Sequence, residues 1–167
     1  MAEVRWARKT MLLNMALMYS LVLFGGYVLW GNARIVFWIY VMTWIGILTI
    51  GRYYVCRPCR YYGQDCPSFG FSHLARILPK GQGKGFSRMA VIIDTSVIVA
   101  SLLLPMTVWV IGIFSRVVPF DRTDHALMGA YLLLFVVMSK VHSVTGCGKC
   151  DIAECPMSKA AKESEQG

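Results

Sequence analysis

The stretch TMLLNMALMYSLVLFGGYVLWGNA, Thr10 to Ala33, carries no charged side chain, and its reading decides the fold. A bilayer core is crossed by about 20 apolar residues in helical form. Thr10–Ala33 meets that length, as do Ile35–Gly51 and Met89–Ser115, the last interrupted only by Asp94. Ala126–Ser139 is shorter and reaches spanning length if its helix continues through Val144 with Lys140 snorkelling to the surface. Composition agrees: 56% of residues are hydrophobic, 16% are charged, and the mean hydropathy is +0.53. Soluble domains average about 45–50% apolar and about 25% charged residues. The 167 residues therefore predict one all-α membrane domain with four transmembrane helices. The apolar run from Met11 outlasts a signal-peptide core and ends in Tyr-Val-Leu-Trp with no small-residue cleavage site, so the first helix is expected to be retained.

Fourteen of the seventeen Lys and Arg residues fall in the N-terminal tail, the segment between the second and third helices, and the C-terminal segment. Arg34, Arg116 and Arg122 are the remainder. The positive-inside rule then places both termini on the cytoplasmic side of the inner membrane. The net charge of +8 reads as this topology signal plus attraction to anionic lipid headgroups, so nucleic acid is not expected as a partner.

Both inward-facing segments carry three cysteines: Cys56, Cys59 and Cys66, then Cys147, Cys150 and Cys155. Each triplet opens with C-x2-C and closes with Cys-Pro. The chain thus divides into a helical hairpin (10–51), a cysteine-rich loop with an interfacial helix (52–88), a second hairpin (89–144) and a cysteine-rich tail (145–167). This is read as a parallel internal repeat, with two independently useful cysteine segments as the alternative. Within the loop, Phe71, Leu74 and Leu78 share one helical face and leave Arg76 on the other, as in a helix lying at headgroup level.

The cytoplasm is reducing, so thiols there favour metal binding or redox chemistry over structural disulfides. Thiolate is the ligating form, and nearby Arg57, Arg60 and Lys149 favour it electrostatically. Zinc and iron–sulfur sites generally take four ligands, and six cysteines do not divide into fours. Three arrangements stay open. Each triplet could be completed by its own histidine, His73 or His142. The two C-x2-C pairs could pool into one site. The Cys-Pro cysteines could instead cross between halves. S-acylation of juxtamembrane Cys56 and Cys59 leaves the two spaced triplets unexplained.

TGCGKCDIAECPM (Thr145 to Met157) resembles a ferredoxin-type cysteine segment, without its first cysteine and with one extra residue before Cys155. GQDCPSFGFSHLARIL (Gly63 to Leu78) resembles segments of membrane iron–sulfur quinol dehydrogenases of the NapH/NosR type. The resemblance covers about 30 residues and implies a membrane subunit that passes electrons from quinol to a cluster-bearing cytoplasmic or membrane partner. Its implied ligands are Cys56, Cys59, Cys66, Cys147, Cys150 and Cys155, with His73 and His142 as supplements. A zinc-stabilised docking scaffold is the first alternative. A thiol–disulfide oxidoreductase of the membrane is the second, disfavoured by the inward placement of the thiols.

Asp94 is the acidic residue inside a membrane window, and Lys140 is expected in the same leaflet. An Asp94–Lys140 pair joining the third and fourth helices is the expectation, with Asn14 at similar depth and a proton path for quinone as the sharper reading. His125 and His142 are about 25 Å apart along one helix at 1.5 Å per residue, which excludes paired haem ligands. No phosphate-loop spacing and no Ser/His/Asp arrangement is found, so neither nucleotide nor hydrolytic chemistry has support.

Overall fold

The structure is a computed structural model that describes residues 6–59, 61–66, 69, 71–77, 79, 87–115, 121–150, 152 and 158. All regular structure among the described residues is helical. Helix α1 is Arg8–Asn32, and α2 is Arg34–Gly46, continued without a break by a π-helical segment, Ile47–Cys56. A single turn, α3 (Phe71–Leu74), runs into a 3-10 turn, Ala75–Ile77. Helix α4 is Arg88–Ser115, and α5 is Arg122–Thr145, followed by a 3-10 turn, Cys147–Lys149.

Four helices are long and apolar enough to cross a membrane: Arg8–Asn32, Arg34–Cys56, Arg88–Phe114 and Arg122–Lys149. Their outward faces stay apolar, with Leu23, Ile35, Met42 and Phe114 largely exposed. An exposed face of that kind suits hydrocarbon rather than water and is consistent with an integral membrane protein in contact with lipid. Trp30, Trp38, Tyr53 and Tyr54 are also exposed, as aromatic belts require. Trp6 is not: it is buried among the cysteine segments.

Helix α1 packs against α2, α4 and α5 and forms the centre of the bundle. Met18, Leu21 and Leu29 of α1 meet Tyr40, Met128 and Tyr131 in the core. Gly25 makes that meeting possible. A Cβ there would lie 3.0 Å from Pro105 Cγ and 3.2 Å from both the Tyr131 ring and the Tyr40 hydroxyl, so all four helices converge on this one residue. The small residues Ala16, Ser20, Gly129 and Ala130, by contrast, are exposed.

Pro105 lies inside α4 and supplies no N–H to the carbonyl one turn back at Ser101. The Tyr131 hydroxyl donates to the neighbouring Leu102 carbonyl at 2.6 Å, and the Tyr40 hydroxyl donates to the Val22 carbonyl at 3.1 Å. Each tyrosine thus binds a second helix through a backbone acceptor that hydrocarbon could not satisfy. The start of α5 carries a capping box in which Asp121 and Asp124 each accept from the other's amide. His125 is an exposed first-turn residue there, as its sequence position suggests.

One expectation is corrected here. The second helix does not end at Gly51. It continues through Arg52 to Cys56 by widening into π-helical winding, which buries Arg52 instead of releasing it into a loop. The segment 71–77 packs on the bundle: Phe71 and Ala75 are fully buried in its core and α3 packs on the π-helical segment, while Leu78 lies outside the described residues.

Candidate functional site

The two C-x2-C units share one local geometry. The Cys59 amide donates to the Cys56 carbonyl at 3.2 Å, and the Cys150 amide donates to the Cys147 carbonyl at 3.2 Å. Each turn projects its two thiols from one bend of the chain. Cys59 and Cys66 from the first segment and Cys150 from the second all pack on a cluster formed by Trp6, Tyr61 and Ile152. Trp6 meets Tyr61 edge-to-face at 4.9 Å and donates from its indole N–H to the Thr145 carbonyl at 3.0 Å. Trp6, two residues before α1, therefore ties the end of α5 to the first cysteine loop.

Cys59 is close enough to Cys66, Cys56 and Cys150 to feel their charge. Burial, reinforced by those thiols, pushes the Cys59 thiol up to about 12 against an opposing hydrogen bond from the Tyr61 backbone. Cys59 is thus held as a neutral thiol when no cation is beside it. Cys56, Cys59, Cys66, Cys147 and Cys150 form no disulfide among the described residues, and Cys155 lies outside them.

The first loop is fixed by its own polar contacts. Gly63 adopts φ of +71°, and its amide donates to the Ser72 carbonyl at 3.2 Å. A Cβ at this left-handed position would lie 2.7 Å from Arg76 Nε, and Arg76 donates to the Gly63 carbonyl. The Ser72 hydroxyl donates to the Gln64 carbonyl at 2.7 Å. His73 pairs through Nε2 with the Asp65 carboxylate at 2.8 Å.

His142 behaves differently. Its Nε2 lies 3.5 Å from Cys147 Sγ, and its Nδ1 lies 3.1 Å from Asn14 Oδ1. Phe69, with φ of 58°, stacks on the imidazole at 4.3 Å between centroids. Asn14 is fully buried and donates from Nδ2 to the Thr10 carbonyl and to Thr145 Oγ1.

Above the thiols sits a buried ion pair. Arg52 pairs with Asp94 through Nη2. Its Nε donates to the Ile47 carbonyl at 3.0 Å, its Nη1 to Cys56 Sγ at 3.3 Å, and its guanidinium lies 4.2 Å from the Phe71 ring centroid. Gly51 admits this contact, because a Cβ there would overlap Asp94 Oδ1. The expected Asp94–Lys140 pair is therefore replaced: Lys140 is exposed on α5, and Asp94 of α4 binds the π-helical end of the second helix. The signal for Arg52 was present as a basic residue one helical turn before Cys56, hidden by assigning it to a loop. Nothing in the sequence marked Trp6, Tyr61 or Phe69 as neighbours of the thiols.

Soft thiol donors with one imidazole suit zinc or an iron–sulfur centre. Among the described residues, however, no three His, Cys, Asp or Glu side chains are disposed around a single ion. The described part brings donors of both segments together without closing a coordination shell. No known protein family, no curated protein and no solved structure matches the chain.

Proposed function

We propose that the chain is a redox subunit of the inner membrane, in which two helical hairpins present their cysteine segments to the cytoplasm and share an iron–sulfur centre. The observation that carries this reading is the convergence of Cys59 and Cys66 with Cys150 on the Trp6–Tyr61–Ile152 cluster. Thiols from segments roughly ninety residues apart in sequence are thereby brought to one place, as a shared centre requires. When bound, such a centre would supply one-electron storage for transfer between the quinone pool and a cytoplasmic or membrane partner.

The protein's own residues supply three functions. Trp6 and Tyr61 exclude water from one side of the thiols. Arg52 donates to the Cys56 sulfur and has its own charge balanced by Asp94. Both C-x2-C turns fix their sulfurs through a backbone hydrogen bond. Support for quinone access is an apolar groove of about 770 Å3 flanking the π-helical segment, lined in part by Leu48, Ile50, Tyr53 and Leu74.

Zinc in a docking scaffold is the second reading, favoured by the mixed nitrogen–sulfur contact of His142 and Cys147. A thiol oxidoreductase is less well served, because an attacking thiol needs thiolate character and Cys59 is held neutral. Anaerobic purification followed by visible absorption, EPR and assay of iron, sulfide and zinc tests the proposal. Iron with sulfide supports the redox reading, stoichiometric zinc the scaffold, and the absence of both from anaerobically prepared protein refutes metal binding.

A further inference from the structure

We propose that His142 Nε2 and Cys147 Sγ form a nitrogen–sulfur edge of the metal site, and that Asn14 of α1 is its positioning residue. The inference rests on the metal-binding reading above and adds to it an imidazole ligand and the side chain that aims it.

Hydrogen-bond arithmetic around Asn14 fixes the imidazole. The Thr10 carbonyl can only accept, so the Asn14 atom 2.9 Å from it is the amide nitrogen. That nitrogen also donates to Thr145 Oγ1, whose own proton goes to the Val141 carbonyl at 2.6 Å. The amide oxygen is left facing His142 Nδ1 at 3.1 Å, and an oxygen there requires Nδ1 to carry the hydrogen. In the neutral ring Nε2 then bears the lone pair, and it is Nε2 that faces Cys147. This is the arrangement found around ligating histidines, in which the second ring nitrogen donates to a fixed acceptor and so sets tautomer and direction.

The spacing agrees. Zinc bonds of about 2.3 Å to sulfur and about 2.0–2.1 Å to nitrogen place the two ligands of a tetrahedral edge about 3.6 Å apart. The Nε2–Sγ separation is 3.5 Å. Phe69 covers the ring face at 4.3 Å and resists rotation away from that direction. An asparagine buried in a transmembrane helix otherwise carries only a desolvation penalty, and here all its polar atoms are engaged. Because Asn14 belongs to α1 and His142 to α5, metal occupancy is coupled to the packing of those helices at their thiol-bearing end.

The test uses the full chain in lipid nanodiscs, loaded anaerobically with zinc alone. Zinc-edge X-ray absorption should show a mixed shell containing one imidazole beside sulfur. His142→Ala should remove the imidazole signature, and Asn14→Ala should weaken zinc affinity by about 10–100-fold, with Asn14→Asp, which keeps the acceptor, restoring most of it. An all-sulfur shell in the unmodified protein, or affinity untouched by both His142→Ala and Asn14→Ala, overturns the inference and leaves the thiol reading standing. Protein that binds neither zinc nor iron overturns both. The shell of the unmodified protein is measured without any substitution, so a variant that fails to fold does not shield the idea.

Discussion

Replacing Asp94 by Asn should destabilise the bundle, and the size of the loss can be worked from the contacts. Arg52 and Asp94 side chains are 3% and 10% exposed, so the pair is shielded from water. Removing one member of a buried pair costs about 3–5 kcal/mol, because the survivor keeps its charge without a partner. Here Asn can still accept from Nη2, and Arg52 keeps the Ile47 carbonyl and the Phe71 ring. Those contacts put the expected loss near the lower limit, about 3 kcal/mol, or roughly a hundredfold in the unfolding equilibrium. Arg52→Gln should cost less, since an unpaired carboxylate can neutralise by taking a proton and a guanidinium cannot lose one. The double variant should therefore lose about 2 kcal/mol less than the two singles summed. Reversible unfolding in bicelles, followed by steric trapping, measures all three. Additive losses, or an Asp94→Asn variant as stable as the parent, would refute the argument that this pair joins α4 to the second helix. Lys140→Gln is the control, and its exposed side chain predicts a change within about 0.5 kcal/mol.

Four further outcomes are expected. Gly25→Ala should cost about 1–3 kcal/mol in the same assay, because its methyl group would press on Pro105, Tyr40 and Tyr131 at once. Tyr131→Phe should lose about 0.5–1.5 kcal/mol by removing the hydroxyl bond to the Leu102 carbonyl. In metal-free protein, Cys59 should be alkylated about a thousandfold more slowly at pH 8 than an ordinary thiol, with its rate still rising toward pH 12; peptide mass spectrometry with labelled iodoacetamide reads this. The sign follows from burial favouring the neutral thiol, so a Cys59 that reacts at the ordinary rate contradicts the packing described. Finally, a membrane-impermeant maleimide added to sealed vesicles of known orientation should label single-cysteine variants at Cys66 and Cys147 from one and the same side. Labelling from opposite sides would remove the shared site.

The bundle and its cysteine segments were legible in the sequence to different degrees, for a physical reason in each case. Membrane helices declare themselves through length and hydrophobicity alone, which are local properties, so Thr10–Ala33 and its three counterparts could be recognised without knowing their neighbours. The repeated C-x2-C spacing is local too, and so is the turn it forms. The ligand partners of those turns are not. His73 and His142 looked equivalent by spacing, and packing gives them different surroundings: His73 pairs with Asp65, whereas His142 lies between Asn14, Phe69 and Cys147.

Asp94 shows the same division. Its membrane depth could be read from its distance to Arg88, but its partner depended on how the second helix ended. The widening of Ile47–Cys56 into π-helical winding turns Arg52 inward, and the missing side chain of Gly51 lets Asp94 approach. Neither fact is written in the hydropathy of the segment. By itself the sequence determined four helices long and apolar enough to cross a membrane, with paired thiol segments, because length and hydrophobicity belong to each segment alone. Only the tertiary structure decided which charges and which thiols meet, because such contacts depend on helix winding and on the few places where backbones come closest.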